Sequence, residues 1–343
     1  MQKLLIKGKR ELSGKISISG SKNATLPILA ACILSNHALL KNIPLVKDIF
    51  TMVELLKFIG LKTKIHQKKN TIEVINDEKN INTLAPYKLV KTMRAGVLVL
   101  GSLLAKYGKA KVSLPGGCAI GSRPVDLHLF ALKKLGAKIK IKDGYIFAEA
   151  KKGLKGSVIN FPTISVGATE NALLAASKAE GKTVLKNCAI EPEIKDLILF
   201  LKKLGSIIYL KKNKKLKKIN ISTKPYPGFP TDLQAQLMVL LTQVNGISKI
   251  KEDIFENRFM HVPELRRMGA KIAIKDKTAI ITGPTKLTGA EVMATDLRAS
   301  VSLVLAGLVA ENRTIVNRIY HLDRGYEFLE RKLKNCKAEI KRL

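Results

Sequence analysis

From Val125 to Leu135 apolar residues recur at i, i+3, i+4 and i+7, the pattern of a helix with one buried face. A glycine follows, suited as a C′ cap to the left-handed turn that leads into a short strand. The same phrase returns along the chain as Phe58 to Ile65, Lys134 to Ile141, Lys203 to Leu210 and Arg267 to Ile274, with a decayed copy from Asn335 to Ile340. Its glycines stand at 60, 136, 205 and 269, with Lys337 in the fifth place, so the intervals are 76, 69, 64 and 68 residues. A period near 68 exceeds that of solenoid repeats and suits one supersecondary unit used five times.

Ahead of each amphipathic helix lies a helix rich in small residues: Asn23 to Leu34, Arg94 to Leu104, Ala168 to Ala179, Asp232 to Val244 and Asp296 to Ala310. Between the two helices sits a β-rich stretch, such as Thr183 to Lys186 or Thr314 to Asn317. Two strands close the unit, so its order is βαβαββ. Small side chains on the first helix favour close helix–helix packing, and such units must cluster around a shared helical core to cover their apolar faces. The fold class expected is therefore α/β, of the α+β kind, built from five repeats. At 343 residues two domains are the prior. A joint is expected in the Lys-rich stretch Lys211 to Lys218, ahead of the Pro- and Gly-bearing Thr223 to Pro230.

Composition changes this picture little. The first twenty residues hold no apolar core of a signal peptide, and no apolar run is long enough to span a bilayer. Cys32, Cys118, Cys188 and Cys336 lie far apart without zinc-ligand spacing, which fits a reducing compartment and a cytoplasmic protein. The formal charge of +34 is the loudest signal. It raises the possibility of a nucleic-acid or anionic-membrane partner. With 49 lysines against 12 arginines and few aromatics, however, it reads as solvated faces filled with Lys, and neither a specific nucleic acid nor a membrane is expected as partner.

Candidate chemistry sits in three places. Ser113 to Pro124 reads SLPGGCAIGSRP: a Pro-Gly-Gly loop carries Cys118, with Arg123 five residues on to favour its thiolate. Gly20 to Pro27 places Lys22 and Asn23 at a helix N-terminus, where backbone N–H groups attract anions. Two Thr-Asp-Leu helix openings carry Asp232 and Asp296, for which a plain N-cap is the competing structural reading. Where Lys is so freely used, arginines at 94, 123, 258, 298 and 324 suggest bidentate recognition of phosphate or carboxylate.

Taken in order, GSKNATLPILAA, MRAGVLVLGSLLAKYGKAKVSLPGGCAIGSRPVDLH, SVGAT, EPEI, FPTDLQAQ, FENRFMHVPEL, MATDLRAS and IYHLDRGYE resemble the UDP-N-acetylglucosamine enolpyruvyl transferases nearly end to end. The resemblance implies a two-domain inverse α/β barrel or prism, with a first domain over 22–215 and a second formed by 1–21 and 216–343. It implies transfer of the enolpyruvyl group of phosphoenolpyruvate to the 3-hydroxyl of UDP-N-acetylglucosamine, with release of phosphate, in peptidoglycan synthesis. No cofactor or metal is needed. Cys118 resembles the proton donor on a lid loop and Asp232 the acceptor of the hydroxyl proton. Lys22 and Asn23 resemble the phosphoenolpyruvate-side pair, and Arg324 an arginine on the same substrate. Arg94, Arg123, Pro124, Val125, Asp126, Leu127 and Ile254 resemble contacts to the UDP-sugar, with Arg258, Asp296 and Arg298 as further substrate-binding candidates.

Two departures stand out. At the uridine-binding segment, where the family has Lys-Val-Ser-Val, this chain has Thr163, Ile164, Ser165 and Val166. The family has six βαβαββ units and only five are found, one of roughly 75 residues being absent between Tyr209 and Phe229. The missing unit motivates an alternative reading as a non-catalytic remnant, and charge alone a third as a nucleic-acid binder.

Overall fold

The computed structural model describes residues 3–115, 125–201 and 219–343. The chain divides into two compact units, one holding residues 19–115 and 125–201, the other residues 3–18 and 219–343. Each has its own aliphatic core.

The repeat is visible in the sheets. Leu84–Ala85 lies parallel to Lys109–Ser113, which pairs antiparallel with Tyr145–Glu149, itself paired with Lys138–Lys142. In the other unit Asn220–Ser222, Gly246–Lys251, Thr278–Gly283 and Lys271–Lys275 repeat this order. A helix crossover between the first two strands makes them parallel, and a short turn makes the last two antiparallel. Val158–Asn160 and Val184–Lys186 form the parallel pair of a further copy, whose predicted closing segment Lys203 to Leu210 lies outside the described residues. The last sheet is completed from the far end of the chain. Leu4–Lys7 inserts between Arg313–Asn317 and Glu339–Arg342 and pairs antiparallel with both.

The predicted caps take the conformation their role demands. Gly60, Gly136 and Gly269 have φ of 112°, 93° and 91°, and Lys337, standing where the others have glycine, is also left-handed at 64°.

The small-residue helices are the inner ones. Three lie in the first unit: Lys22–Ala31, Val99–Tyr107 and Val166–Ala176. Two lie in the second: Gln234–Leu241 and Leu297–Val309. Three of the five open with one device. The side chain of Ser21, Ser165 or Asp296 accepts from the N–H of Ala24, Ala168 or Ala299. The next hydroxyl, on Thr25, Thr169 or Ser300, donates back to the cap residue's carbonyl. Small residues then allow close approach: a Cβ on Gly101 would overlap Asn171, whose Oδ1 accepts from Gly101 N–H at 2.7 Å.

Candidate active site

In the first unit Lys22 is the first residue of its helix and its Nζ lies 3.0 Å from Asp48 Oδ2, both side chains mostly buried. Asp48 belongs to the first turn of helix Lys47–Ile59. Asn23, one residue on, lines a cavity of about 130 Å³ with Leu26, Pro27, Ala95, Leu98, Val166, Glu170 and Glu193. Arg94 opens the 3₁₀ turn Arg94–Leu98. Burial first, and the Arg94 charge second, push His128 down to about 3, so its ring is neutral. Neutral imidazole keeps an acceptor nitrogen, and Nδ1 lies 3.1 Å from Asn171 Nδ2. Val125 is buried at the start of helix Asp126–Lys134, whose Asp126 is exposed and Leu127 half-buried. Thr163 and Ile164 are exposed; Ser165 caps helix Val166–Ala176. Of the candidates on this unit, the cavity brings Asn23 and Val166 together. Cys118, Arg123 and Pro124 lie outside the described residues.

The second unit draws three of its candidates, Asp232, Arg258 and Arg298, into one cluster. Asp232 lies in the 3₁₀ turn Thr231–Leu233, whose cap is Pro230, so its side chain is not used as a cap. Instead Arg258 Nη2 donates to Oδ1 at 2.8 Å, and Arg298 Nη2 donates to Oδ2. These charge-assisted bonds fix the carboxylate's plane. Arg258 is almost fully buried. Arg298 is steadied by Tyr326, whose ring it overlies at 6.0 Å and whose hydroxyl also accepts from Gln236 Nε2 at 3.0 Å. Asp296 is the N-cap of Leu297–Val309, accepting from Arg298 N–H and Ala299 N–H. Ile254 N–H donates to the buried Glu252, which also binds the hydroxyls of Thr223 and Thr231. Arg324 ends the 3₁₀ turn Ile319–Arg324. Arg258 Nε, Gln236 Oε1 and His261 Nε2 are buried without a partner among the described residues.

Asp48 carried no sequence signal, and Glu193, Gln236, His261 and Tyr326 lie within the segments EPEI, FPTDLQAQ, FENRFMHVPEL and IYHLDRGYE without being singled out there. Glu170 did carry one, since the aligned inner helices have an apolar residue where it stands. Cys32 is fully buried and its thiol is pushed up to about 12, which leaves it inert.

This architecture is found in known proteins. The enolpyruvyl transferase NikO from Streptomyces tendae superimposes with a TM-score of 0.86 at 20% identity, over 99% of this chain and 98% of that one. EPSP synthase from Acinetobacter baumannii does so with a TM-score of 0.69 at 15% identity, over the whole of both. The family model for EPSP synthase (3-phosphoshikimate 1-carboxyvinyltransferase) matches residues 6–212 and 206–333, its two parts meeting within the stretch where the repeat count drops. The fold is that of the enolpyruvyl transferases. Two curated relatives, both named UDP-N-acetylglucosamine 1-carboxyvinyltransferase, align over the whole of each chain: one from Pelagibacter ubique (strain HTCC1062) at 52% identity, one from Rickettsia africae (strain ESF-5) at 46%. Within that fold the chain belongs to the UDP-N-acetylglucosamine 1-carboxyvinyltransferase family. The alignments run over 419 positions against 343 residues here, so at least 76 positions have no counterpart in this chain. That is the length of one repeat.

Proposed function

We propose that the protein transfers the enolpyruvyl group of phosphoenolpyruvate to the 3-hydroxyl of UDP-N-acetylglucosamine and releases phosphate, the first committed step of peptidoglycan synthesis, in the cytoplasm. The observation that carries this reading is the carboxylate of Asp232 held by Arg258 and Arg298, within a chain that aligns with the family from end to end. A carboxylate held in a fixed orientation suits the removal of a proton from an attacking hydroxyl. Attack at C2 proceeds as C3 gains a proton, for which Cys118 is the donor. The tetrahedral ketal then loses phosphate and a C3 proton to give the enol ether. Lys22, Arg123 and Arg324 hold the phosphate and carboxylate where charge develops. Asn23 stands beside the same substrate, and Arg94, Pro124, Val125, Asp126, Leu127, Thr163, Ile164, Ser165, Val166 and Ile254 meet the UDP-sugar. The two compact units are the enzyme's two domains.

A second reading, a remnant that binds substrates without turning them over, is favoured by the 76 unmatched positions. Phosphate release from the two substrates separates the readings. The transferase releases phosphate well above a Cys118→Ala control. No release above that control sinks the catalytic reading.

A further inference from the structure

The strands Lys109–Ser113 and Gly246–Lys251 hold the same place in their repeats, each pairing antiparallel with the second strand of a closing hairpin. The residue after each strand docks in the same way. Leu114 N–H donates to Gly144 O at 2.9 Å, and Glu252 N–H donates to Lys277 O at 2.8 Å. One unit puts a half-buried leucine there; the other puts a carboxyl that is 2% exposed. A buried polar group is costly where an aliphatic side chain serves, and such breaches of a local rule collect at functional sites.

Four hydrogen bonds offset that cost. Oε1 of Glu252 accepts from the Thr223 hydroxyl at 3.0 Å and from the N–H groups of Ile254 and Phe255 at 3.0 and 3.1 Å. Oε2 accepts from the Thr231 hydroxyl at 2.9 Å. Thr223, itself fully buried, accepts in turn from Asp253 N–H at 3.0 Å. Three segments therefore meet on one side chain: the residue after strand Asn220–Ser222, the 3₁₀ turn Thr231–Leu233 and the stretch that follows Gly246–Lys251. Two of the three lead to Asp232. Thr231 precedes it in the turn. The Arg258 guanidinium lies over the Phe255 ring, 5.5 Å from its centroid, and Arg258 Nη2 donates to Asp232 Oδ1 at 2.8 Å and to Thr231 O at 3.4 Å. The path closes on itself, from Glu252 through Thr231 and Asp232 to Arg258 and back through Phe255. A shift of Asp232 against Arg258 breaks a bond to a buried group somewhere along it.

We propose that Glu252 is a positioning residue for Asp232: by gripping both the turn that carries Asp232 and the segment that carries Arg258, it holds the Asp232 carboxylate where an attacking hydroxyl gives up its proton. Glu252 is buried, acts only through these contacts and takes no part in bond making. The inference rests on the transferase reading for the role of Asp232.

The test is a double-mutant cycle read in steady-state phosphate release, with folding checked by circular dichroism. Glu252→Gln puts an amide donor where acceptors are needed and lowers kcat about 10- to 100-fold, the scale on which a misplaced catalytic group costs rate. KM for phosphoenolpyruvate moves less than about threefold, since the loss falls on the transition state. Thr231→Val removes only the arm to the turn; it lowers kcat in the same sense and serves if Glu252→Gln does not fold. In an Asp232→Asn background either change lowers kcat by less than about twofold more, because the group being positioned is already gone. A merely structural role gives the same fold loss in both backgrounds. That outcome overturns the proposal, and so does a kcat within about twofold of the natural value in each single variant that folds. If the natural protein releases no phosphate, the transferase reading fails by itself, and crystal structures of the natural protein and of Thr231→Val decide the positioning. An Asp232 carboxylate displaced from Arg258 in the variant supports it; an unchanged pair overturns it.

Discussion

Asp232 and Asp296 show how much one local environment decides. Both follow Thr and precede Leu, and both open an inner helix. Asp296 spends its oxygen on two backbone N–H groups, whereas Asp232 is released from capping by the 3₁₀ turn and given to two guanidiniums. The shared motif made the two residues legible as a pair; their division of labour depends on Arg258, which comes from a segment 26 residues away. Asp232→Asn keeps the size and removes the base, so phosphate release falls at least about 100-fold while circular dichroism stays unchanged. Full activity in that variant rules out the assigned role. The buried histidines carry a pH signature. Burial, outweighing the nearby Asp296, lowers His261 to about 4, and His128 lies at about 3. In the unfolded chain both titrate near 6.5, so below that value the unfolded chain binds more protons. The stabilisation is whole above pH 6.5 and is lost as pH falls toward about 4, by ~3 kcal/mol for His261 alone. Denaturation midpoints measured from pH 7 to 4.5 fall less steeply in His261→Gln than in the natural protein; parallel curves contradict this assignment.

At the scale of elements, the repeat was readable because three separate rules agree on it. Helical periodicity, the C′ glycine and the following strand recur together, and helix and cap were placed to within a few residues. The completion of the last sheet by Leu4–Lys7 was not readable, since nothing in a four-residue strand says which distant edge it will join. Nor was the contact that sets the spacing of inner helices. Asn171 accepts from Gly101 N–H and donates to Val97 O at 3.2 Å, stitching Val166–Ala176 to its neighbour through buried backbone groups. Asn171→Ala strands both groups at once and costs about 2–4 kcal/mol, more than the loss of one ordinary hydrogen bond. Urea unfolding checks this, and a cost below about 1 kcal/mol shows that the two helices hold their spacing by packing alone.

The whole molecule differs from its relatives by the length of one unit, and the consequence is read most directly on the inner helices. In the first unit Val99–Tyr107 packs against both Lys22–Ala31 and Val166–Ala176, and none of the three exposes a large apolar side chain among the described residues. Leu104, near the end of Val99–Tyr107, is 1% exposed. The second unit has two, and on them Leu240 is 43% and Val309 37% exposed. A third inner helix is what would cover such positions, by the logic that groups these repeats in the first place. An uncovered leucine has little burial to lose. Leu240→Ala therefore changes stability by less than about 1 kcal/mol, whereas Leu104→Ala costs about 2–5 kcal/mol through lost transfer energy and the cavity left behind. Denaturant midpoints of the two variants, with folding confirmed by circular dichroism, make the comparison. Equal costs mean that Leu240 is buried in solution, and a dependence of that cost on protein concentration identifies a second copy of the chain as the cover. Unequal costs leave a second unit that stands with these two side chains in water and is held together by the aliphatic core it keeps for itself.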